Sequence, residues 1–398
     1  LEPGAETGRR HGQQGWTEMQ AGAASKHGVK LEGGKIKEEL RAAIMEGRTK
    51  DIGEVIKRDP TFLLNWDNVR QYSHLAPANP RLKSLLEDII ENDAWKLLWL
   101  PPSLPYYYVN KGPYSKFSEA QLTKRLIFSS WNVVPKMIAT MVSYEAERQM
   151  FRLLEPNPEY SSDWRKKQGN LLKFAVSERL SGMPVLGILY PCFTLSLHCD
   201  PLKIYSENIG NTQKIPTLDE MKKAISSRIK KLLDNLDVRE NTSTSTDLNW
   251  YWAAPILLDL QENKTATKEW FNKQNQGQLW SGAVNADSED KESNWSAHVE
   301  QAKKILDGNL SLGRRPDDLV DILTLTALGG PAVLALRTIC RIGEDDTLHT
   351  NINYRNAAAD IALGFRNFFN RPEVTCLLRW LNLGVVYWQR VLEYSTEG

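Results

Sequence analysis

The stretch "LTKRLIFSSWNVVPKMIATMVSYEAERQM", Leu122–Met150, decides how the chain is to be read. A short apolar run, "KRLIFSS" over Lys124–Ser130, ends in two serines and Trp131, and a long helical pattern follows from Pro135. A run this apolar on both alternate positions suits a strand buried on both faces, as in a parallel sheet covered by helices. Ligands in open parallel sheets bind beyond the carboxyl ends of the strands. Ser129 and Ser130 fall at that position, after Leu126, Ile127 and Phe128. Their hydroxyls and neighbouring amides suit a phosphate, and Trp131 offers a flat face for stacking or packing. The plainer possibility is a strand-to-helix corner whose serines cap the helix. Residue types alone favour neither. In the helix itself, Val134, Met137, Ile138, Met141 and Val142 are expected to cover the sheet.

Working outward, two more apolar runs suggest strands: "WKLLWLPPSLPYY" (Trp95–Tyr107), closed by prolines, and "MPVLGILYPCF" (Met183–Phe193), which also admits a helix. Helical periodicity surrounds them. "KIKEELRAAIMEG" (Lys35–Gly47) and "NPRLKSLLEDIIEND" (Asn79–Asp93) precede the runs. "TLDEMKKAISSRIKKLLDNL" (Thr217–Leu236) and nearly everything after residue 297 follow them. Thr217 and Glu220 form a capping box, and Leu218, Met221, Ile225, Ile229, Leu232 and Leu236 make one apolar face. Residues 157–170 and 205–216 read as loops. The expected fold is therefore mainly α with a small parallel α/β portion, followed by a helical domain. The segments are 1–93 (an entry segment with linker helices), 94–200 (the partial α/β lobe) and 201–398 (the helical region), with a mobile loop near 261–296 that Trp270 and Trp280 pin to the body. The chain opens on Leu1 and its last helical run stops without a following element, which reads as an internal piece of a longer protein.

Composition excludes little. Fifty Lys and Arg face 49 Asp and Glu, so net charge argues neither for nor against nucleic acid. No stretch reaches the roughly 20 apolar residues of a membrane-spanning helix, and no basic-then-apolar leader opens the chain. A cytoplasmic protein without membrane contact is expected, its four cysteines buried and reduced. Cys192 and Cys199 with His198 do not match a usual zinc spacing. "GVKLEGGKI" (Gly28–Ile36) misses a phosphate loop: the glycines flank five residues, and Ile36 stands where a hydroxyl is needed. No nucleophile elbow or paired catalytic carboxylates appear, so no catalytic residue is assigned.

Three other features each have a plain explanation. Gly329–Gly330–Pro331 joins two apolar helices, although such a start can hold an anion. Arg314 and Arg315 suit phosphate or pairing with Asp317 and Asp318. Lys222, Lys223, Arg228, Lys230 and Lys231 suit a nucleic-acid backbone or a solvated helix face.

"KRLIFSSW" resembles the strand-and-loop motif IV that opens the second RecA-like lobe of superfamily-two helicases and Swi/Snf-type translocases, and "NPRLKSLLEDII" resembles the helix that precedes that lobe. The longer stretches "LWLPPSLPYY…GPYS…KRLIFSSWNVVPKMIATMVSYEAER", "GRRPDDLVDILTLTALGGPAVLALR" and "GFRNFFNRPEV…LLRWL…YWQRVLEY" resemble very large prokaryotic helicase-like proteins of defence or mobile regions, with their helical insertion. The resemblance spans roughly residues 70–398. It implies a partial RecA-like lobe and a motor that uses ATP and Mg, both bound by the parent protein and neither by this chain alone. Nucleic acid, DNA by preference, is the implied partner, with Ser129, Ser130, Trp131 and Lys136 as the binding residues; partner proteins of a defence or mobile-element system are implied too. The chain departs from the family in lacking a Walker A lysine, a Walker B acid pair and the arginine motif, so no catalytic role carries over. Two rivals stand beside this: a non-enzymatic helical interaction module, and an enzyme using His198 or Cys199 in the 95–200 region.

Overall fold

The computed structural model describes residues 66–77, 79–100, 114, 125–176, 180–208, 215–238, 245–274, 290–343, 346–381 and 386–397. The expected helix at Lys35–Gly47, the glycine loop at Gly28–Ile36 and Trp280 lie outside them. Among the described residues the chain is mainly α-helical. It has no β-strand there, only isolated bridges pairing Val176 with Leu180 and Thr246 with Arg314. The chain divides into two compact units, Leu1–Asn92 with Lys124–Arg148, and Asp93–Thr123 with Gln149–Gly398.

In the first unit, α1 (Trp66–Arg70) and α2 (Pro80–Leu86) precede α3 (Val133–Arg152), which belongs to this unit as far as Arg148. The start of α2 is set by sequence: Asn79 Oδ1 accepts from the amides of Arg81 and Leu82 at 2.9 and 3.2 Å, and Pro80 needs no amide partner. Tyr72, in the left-handed region at φ 47°, is fully buried and stacks on Tyr144 at 5.8 Å. The Tyr144 hydroxyl donates to the Ser73 carbonyl at 2.8 Å. On the next position of α3, Arg148 Nε donates to both Glu145 oxygens at 2.9 and 2.8 Å, and His74 Nδ1 lies 3.3 Å away. The polar half of "SYEAER" is thus the buried half of this helix. Val134, Met137, Ile138, Met141 and Val142, expected to cover a sheet, are only partly buried.

The second unit is a helical body: α4 (Ser162–Gln168), α5 (Met183–Leu189), α6 (Phe193–His198), α7 (Pro201–Asn208), α8 (Leu218–Asp234), α9 (Trp250–Glu262), α10 (Lys264–Gln274), α11 (Asp290–Leu306), α12 (Leu319–Gly329), α13 (Pro331–Ile342), α14 (Ile352–Phe369), α15 (Pro372–Leu381) and α16 (Tyr387–Glu397). Helix α9, "WYWAAPILLDLQE", is apolar nearly all round, so it is stable only when enclosed. Helices α5, α6, α8, α10, α11 and α12 pack around it. Gly187 lets α5 approach closely, since a Cβ there would sit 3.1 Å from the Trp252 Cα. Phe193, Leu336, Cys340 and Ala358 then join α6, α13 and α14 in one apolar cluster. Each fully buried Leu or Phe in such a core contributes about 1.5–3 kcal/mol.

Several expectations are met. The capping box of α8 forms, with Glu220 N–H donating to Thr217 Oγ1 at 3.3 Å and Thr217 N–H donating to Glu220 at 2.7 Å. The apolar face of α8 is buried except at Leu232, which yields its place to Leu233. Gly330–Pro331 is a tight connection between buried helices, and Trp270 is buried, 2 % exposed.

Others are corrected. "MPVLGILYPCF" is not a strand but α5 and the start of α6, because an enclosed helix shows no periodicity to distinguish it from an enclosed strand. Residues 94–98 form a 3-10 turn with Trp95 buried, not a strand. Ile127, expected in a layer of strands, lies in an irregular segment and is 38 % exposed. No parallel sheet exists among the described residues, so the α/β portion of the expected fold is not found there. The loop expected over 157–170 contains α4, that over 205–216 begins with the end of α7, and that near 261–296 is helical at Lys264–Gln274 and from Asp290. Polar composition signalled a loop in each case, whereas a few anchors such as Trp164 and Trp270 fold the segment onto the body.

Candidate nucleic-acid interface

The corner at Arg125–Lys136 is an irregular run followed by a bend and then α3. Its conformation is set locally: Ser129 Oγ accepts from the Trp131 amide at 3.1 Å, and the Trp131 carbonyl accepts from Val134 N–H at 3.1 Å. Ser129 therefore orders the turn ahead of the helix while its hydroxyl proton stays available to an acceptor. Arg125 pairs with Asp88 at 2.6 Å, which fixes the near end of the run to the segment after α2. Ser129, Ser130, Trp131 and Lys136 are all exposed, Trp131 at 69 %. The four residues chosen from sequence are thus all exposed, Ser129, Ser130 and Trp131 just before α3 and Lys136 in its first turn. Leu126 and Phe128, which the strand expectation hid inside a sheet, are 77 % and 86 % exposed.

The second unit contains a polar constellation that composition does not announce. Asp259 on α9 and Arg355 on α14 are both completely buried and pair at 3.2 Å. Asp259 accepts from the Tyr190 hydroxyl at 2.7 Å, from the Thr194 hydroxyl and amide at 2.7 and 2.9 Å, from the Phe193 amide at 3.2 Å and from Cys192 Sγ at 3.1 Å. Arg355 donates to the carbonyls of Pro191 and Ala266, each at 3.3 Å, and to the Tyr190 oxygen at 2.8 Å. Its guanidinium lies 5.0–5.3 Å from the rings of Phe193, Trp270 and Tyr190. Burial raises the Asp259 carboxyl above the usual range against the pull of Arg355, and pushes the Tyr190 and Cys192 protons upward. Enclosure on all sides leaves no path for a ligand. The constellation ties the α5–α6 turn to α9 and α14 and is structural. One signal in the sequence pointed to it: single charges inside apolar runs, in "AAPILLDLQ" and "YRNAAADIAL", which folding accepts only when they are paired.

The rival with a reactive His198 or Cys199 is not supported. Cys199 is fully buried, and desolvation pushes its thiol up to about 12, so no thiolate forms at neutral pH. His198 faces Glu262 at 3.3 Å. Among the described residues no three His, Cys, Asp or Glu side chains come together as metal ligands.

The other charged features resolve into pairs. Arg314 bonds Asp317 at 2.9 Å, Tyr251 donates to Asp318 at 2.6 Å, and Arg315 sits over the Trp250 ring at 4.8 Å. Along α8, Lys222 pairs with Glu397 at 2.6 Å and Arg228 with Glu207, so the cationic stripe is broken; Lys223, Lys230 and Lys231 remain exposed. No single helix among the described residues is long and apolar enough to cross a membrane.

Comparison with family models, curated proteins and solved structures finds no match. The helicase resemblance therefore stands on the quoted residues alone.

Proposed function

We propose that the chain is a non-hydrolytic part of an ATP-driven helicase or translocase, in which the corner Ser129–Ser130–Trp131 with Lys136 grips a nucleic-acid strand and couples it to motion. One observation carries this: the run Leu126–Trp131 is exposed, with its apolar side chains in solvent and its polar end beside a helix start. A strand of a parallel layer has this character when its neighbours come from elsewhere, and the partial burial of Val134, Met137 and Ile138 on α3 points the same way. The finer fold, a partial RecA-like lobe, belongs to this proposal, with neighbouring strands supplied outside the described residues. In that arrangement Trp131 stacks on a base, Ser129 and Ser130 donate to phosphate oxygens, and Lys136 neutralises a phosphate. ATP and Mg would sit with the parent's own motifs, and partner proteins of a defence or mobile-element system would meet the helical unit. DNA is the expected strand, and the cytoplasm the expected location.

The test is binding of fluorescent single-stranded DNA by the chain. A Ser129→Ala, Ser130→Ala, Trp131→Ala variant should lose at least the stacking term, about 1–3 kcal/mol or roughly 5- to 150-fold in affinity. Undiminished affinity in a variant whose circular dichroism is intact would falsify the proposal.

A further inference from the structure

The segment that leads into α5 is fastened at two places, and the two respond differently to acid. At its base the Leu172 amide donates to Asn370 Oδ1 at 2.8 Å, and the Leu172 carbonyl accepts from Asn370 Nδ2 at 2.9 Å and Arg366 Nε at 2.8 Å. Burial lowers the Arg366 pKa only to about 10, so this end keeps its bonds in neutral and acid solution. The segment then turns back, Ser181 N–H donating to the Ala175 carbonyl at 3.1 Å, and reaches Gly182, the N-cap of α5.

The second fastening is to α11. Gly182 N–H donates to His298 Nε2 at 3.0 Å, and a Cβ on residue 182 would stand 2.9 Å from that nitrogen, so the close approach requires glycine. Phe174 meets the Trp295 and His298 rings edge-on, with centroids 4.8 and 5.1 Å away. A backbone amide only donates. Nε2 must therefore carry a lone pair, and the ring proton sits on Nδ1, which gives it to the Asn294 carbonyl at 2.6 Å. A second proton would set one N–H against another inside a fully buried site.

The surroundings do not absorb that charge, and among the described residues His298 forms no ion pair. On α9, Asp259 is engaged by Arg355 and Glu262 faces His198; on α11 itself, Glu300 pairs with Lys303. Helix α10 carries Lys264, Lys268 and Glu269, none bonded to the ring, and Lys173 on the segment is exposed. From α14 comes Arg366, another cation, 5.2 Å from the Phe174 ring.

We propose that His298 is an acid-released clasp: protonation frees Gly182 and Phe174 from α11 while the base at Asn370 and Arg366 holds and the body around α9 stays folded. The clasp does not rest on the motor proposal. Its direction follows from linkage. The closed form needs the neutral ring, whereas the opened form exposes a histidine of ordinary pKa, about 6.5, so acid below that value favours opening.

The test is hydrogen exchange of the full chain followed at the Gly182 amide and corrected for the intrinsic pH dependence of exchange. Between about pH 6.5 and about pH 5.5 its opening should increase roughly three- to fivefold. At each pH it should exchange at least about tenfold faster than the amides of α9, because the opening is local. His298→Gln keeps an acceptor for the Gly182 amide and removes the titration, so the amide should stay protected and its corrected exchange flat. His298→Ala should leave it open throughout. Corrected exchange in the unmodified chain that ignores pH, an acid response retained by His298→Gln, or exchange no faster than that of α9 overturns the proposal. The ring gives a check that needs no variant: its 15N resonances at neutral pH should show the neutral ring protonated at Nδ1, and a proton on Nε2 overturns the clasp even where both variants fail to fold.

Discussion

Two regions of the molecule treat polar atoms in opposite ways. Around Asp259 and Arg355 the hydrogen bonds are internal, both charges are wholly enclosed, and donors and acceptors from the α5–α6 turn, α6, α9, α10 and α14 meet there. At Leu126–Trp131 the polar atoms face solvent and the apolar side chains do too. The first region is complete in itself, and changing it should cost stability. The second has chemistry to offer and little packing to lose, so changing it should cost binding. The difference teaches that polar residues concentrated in one place are not by themselves a binding site, because a ligand also needs access.

Arg355→Ala should have the largest effect. It leaves the enclosed Asp259 without its partner, and about 3–5 kcal/mol of folding stability should go, read as a fall in the urea midpoint. If instead the chain unfolds at the wild-type midpoint, the enclosed network is not what holds α14 to α9. The matching change at the corner, Trp131→Ala, should leave that midpoint within about 0.5 kcal/mol, since the ring is exposed. A large stability loss there would make Trp131 a packing residue and erase the contrast.

An intermediate effect is expected at His298. It is fully buried, accepts from the Gly182 amide through Nε2 at 3.0 Å and meets the Asn294 carbonyl through Nδ1 at 2.6 Å, an arrangement that requires the neutral ring. Burial lowers its pKa below the ordinary value of about 6.5. A base held neutral stabilises fully above that value, and the contribution fades as pH falls towards the folded-state pKa. Unfolding free energy should therefore drop on acidification below about pH 6.5. His298→Ala should flatten that drop at a cost of about 1–3 kcal/mol at neutral pH. A smaller effect than at His298 is expected of Thr217→Ala, which removes one cap from α8 and should cost about 1 kcal/mol. Circular dichroism melts would measure it; a loss several times larger would mean that α8 is held at its end rather than by its buried face.

Local rules were enough wherever the structure needed only neighbours in sequence. The capping box at Thr217 and Glu220 and the Gly330–Pro331 break follow from which atoms can satisfy a helix end, and both are read directly from residue types. At the corner, sequence placed Ser129, Ser130 and Trp131 just before a helix, which α3 follows. Its surroundings were not legible. Leu126, Ile127 and Phe128 were expected inside a sheet, and whether an apolar run is a strand or an irregular segment depends on hydrogen-bonding neighbours that the run does not contain.

The sequence by itself determined a mainly helical chain and the caps at Thr217 and Pro331, because those depend on spacing and on bonds between close residues. Only the tertiary structure decided that Met183–Phe193 is helical, that Asp259 meets Arg355 across 96 positions and that Cys199 is enclosed. It likewise decided that Ile361, Gly364 and Phe365 face outward. Each of these depends on what lies on the far side of a side chain, and one-dimensional periodicity does not record which face another helix will cover.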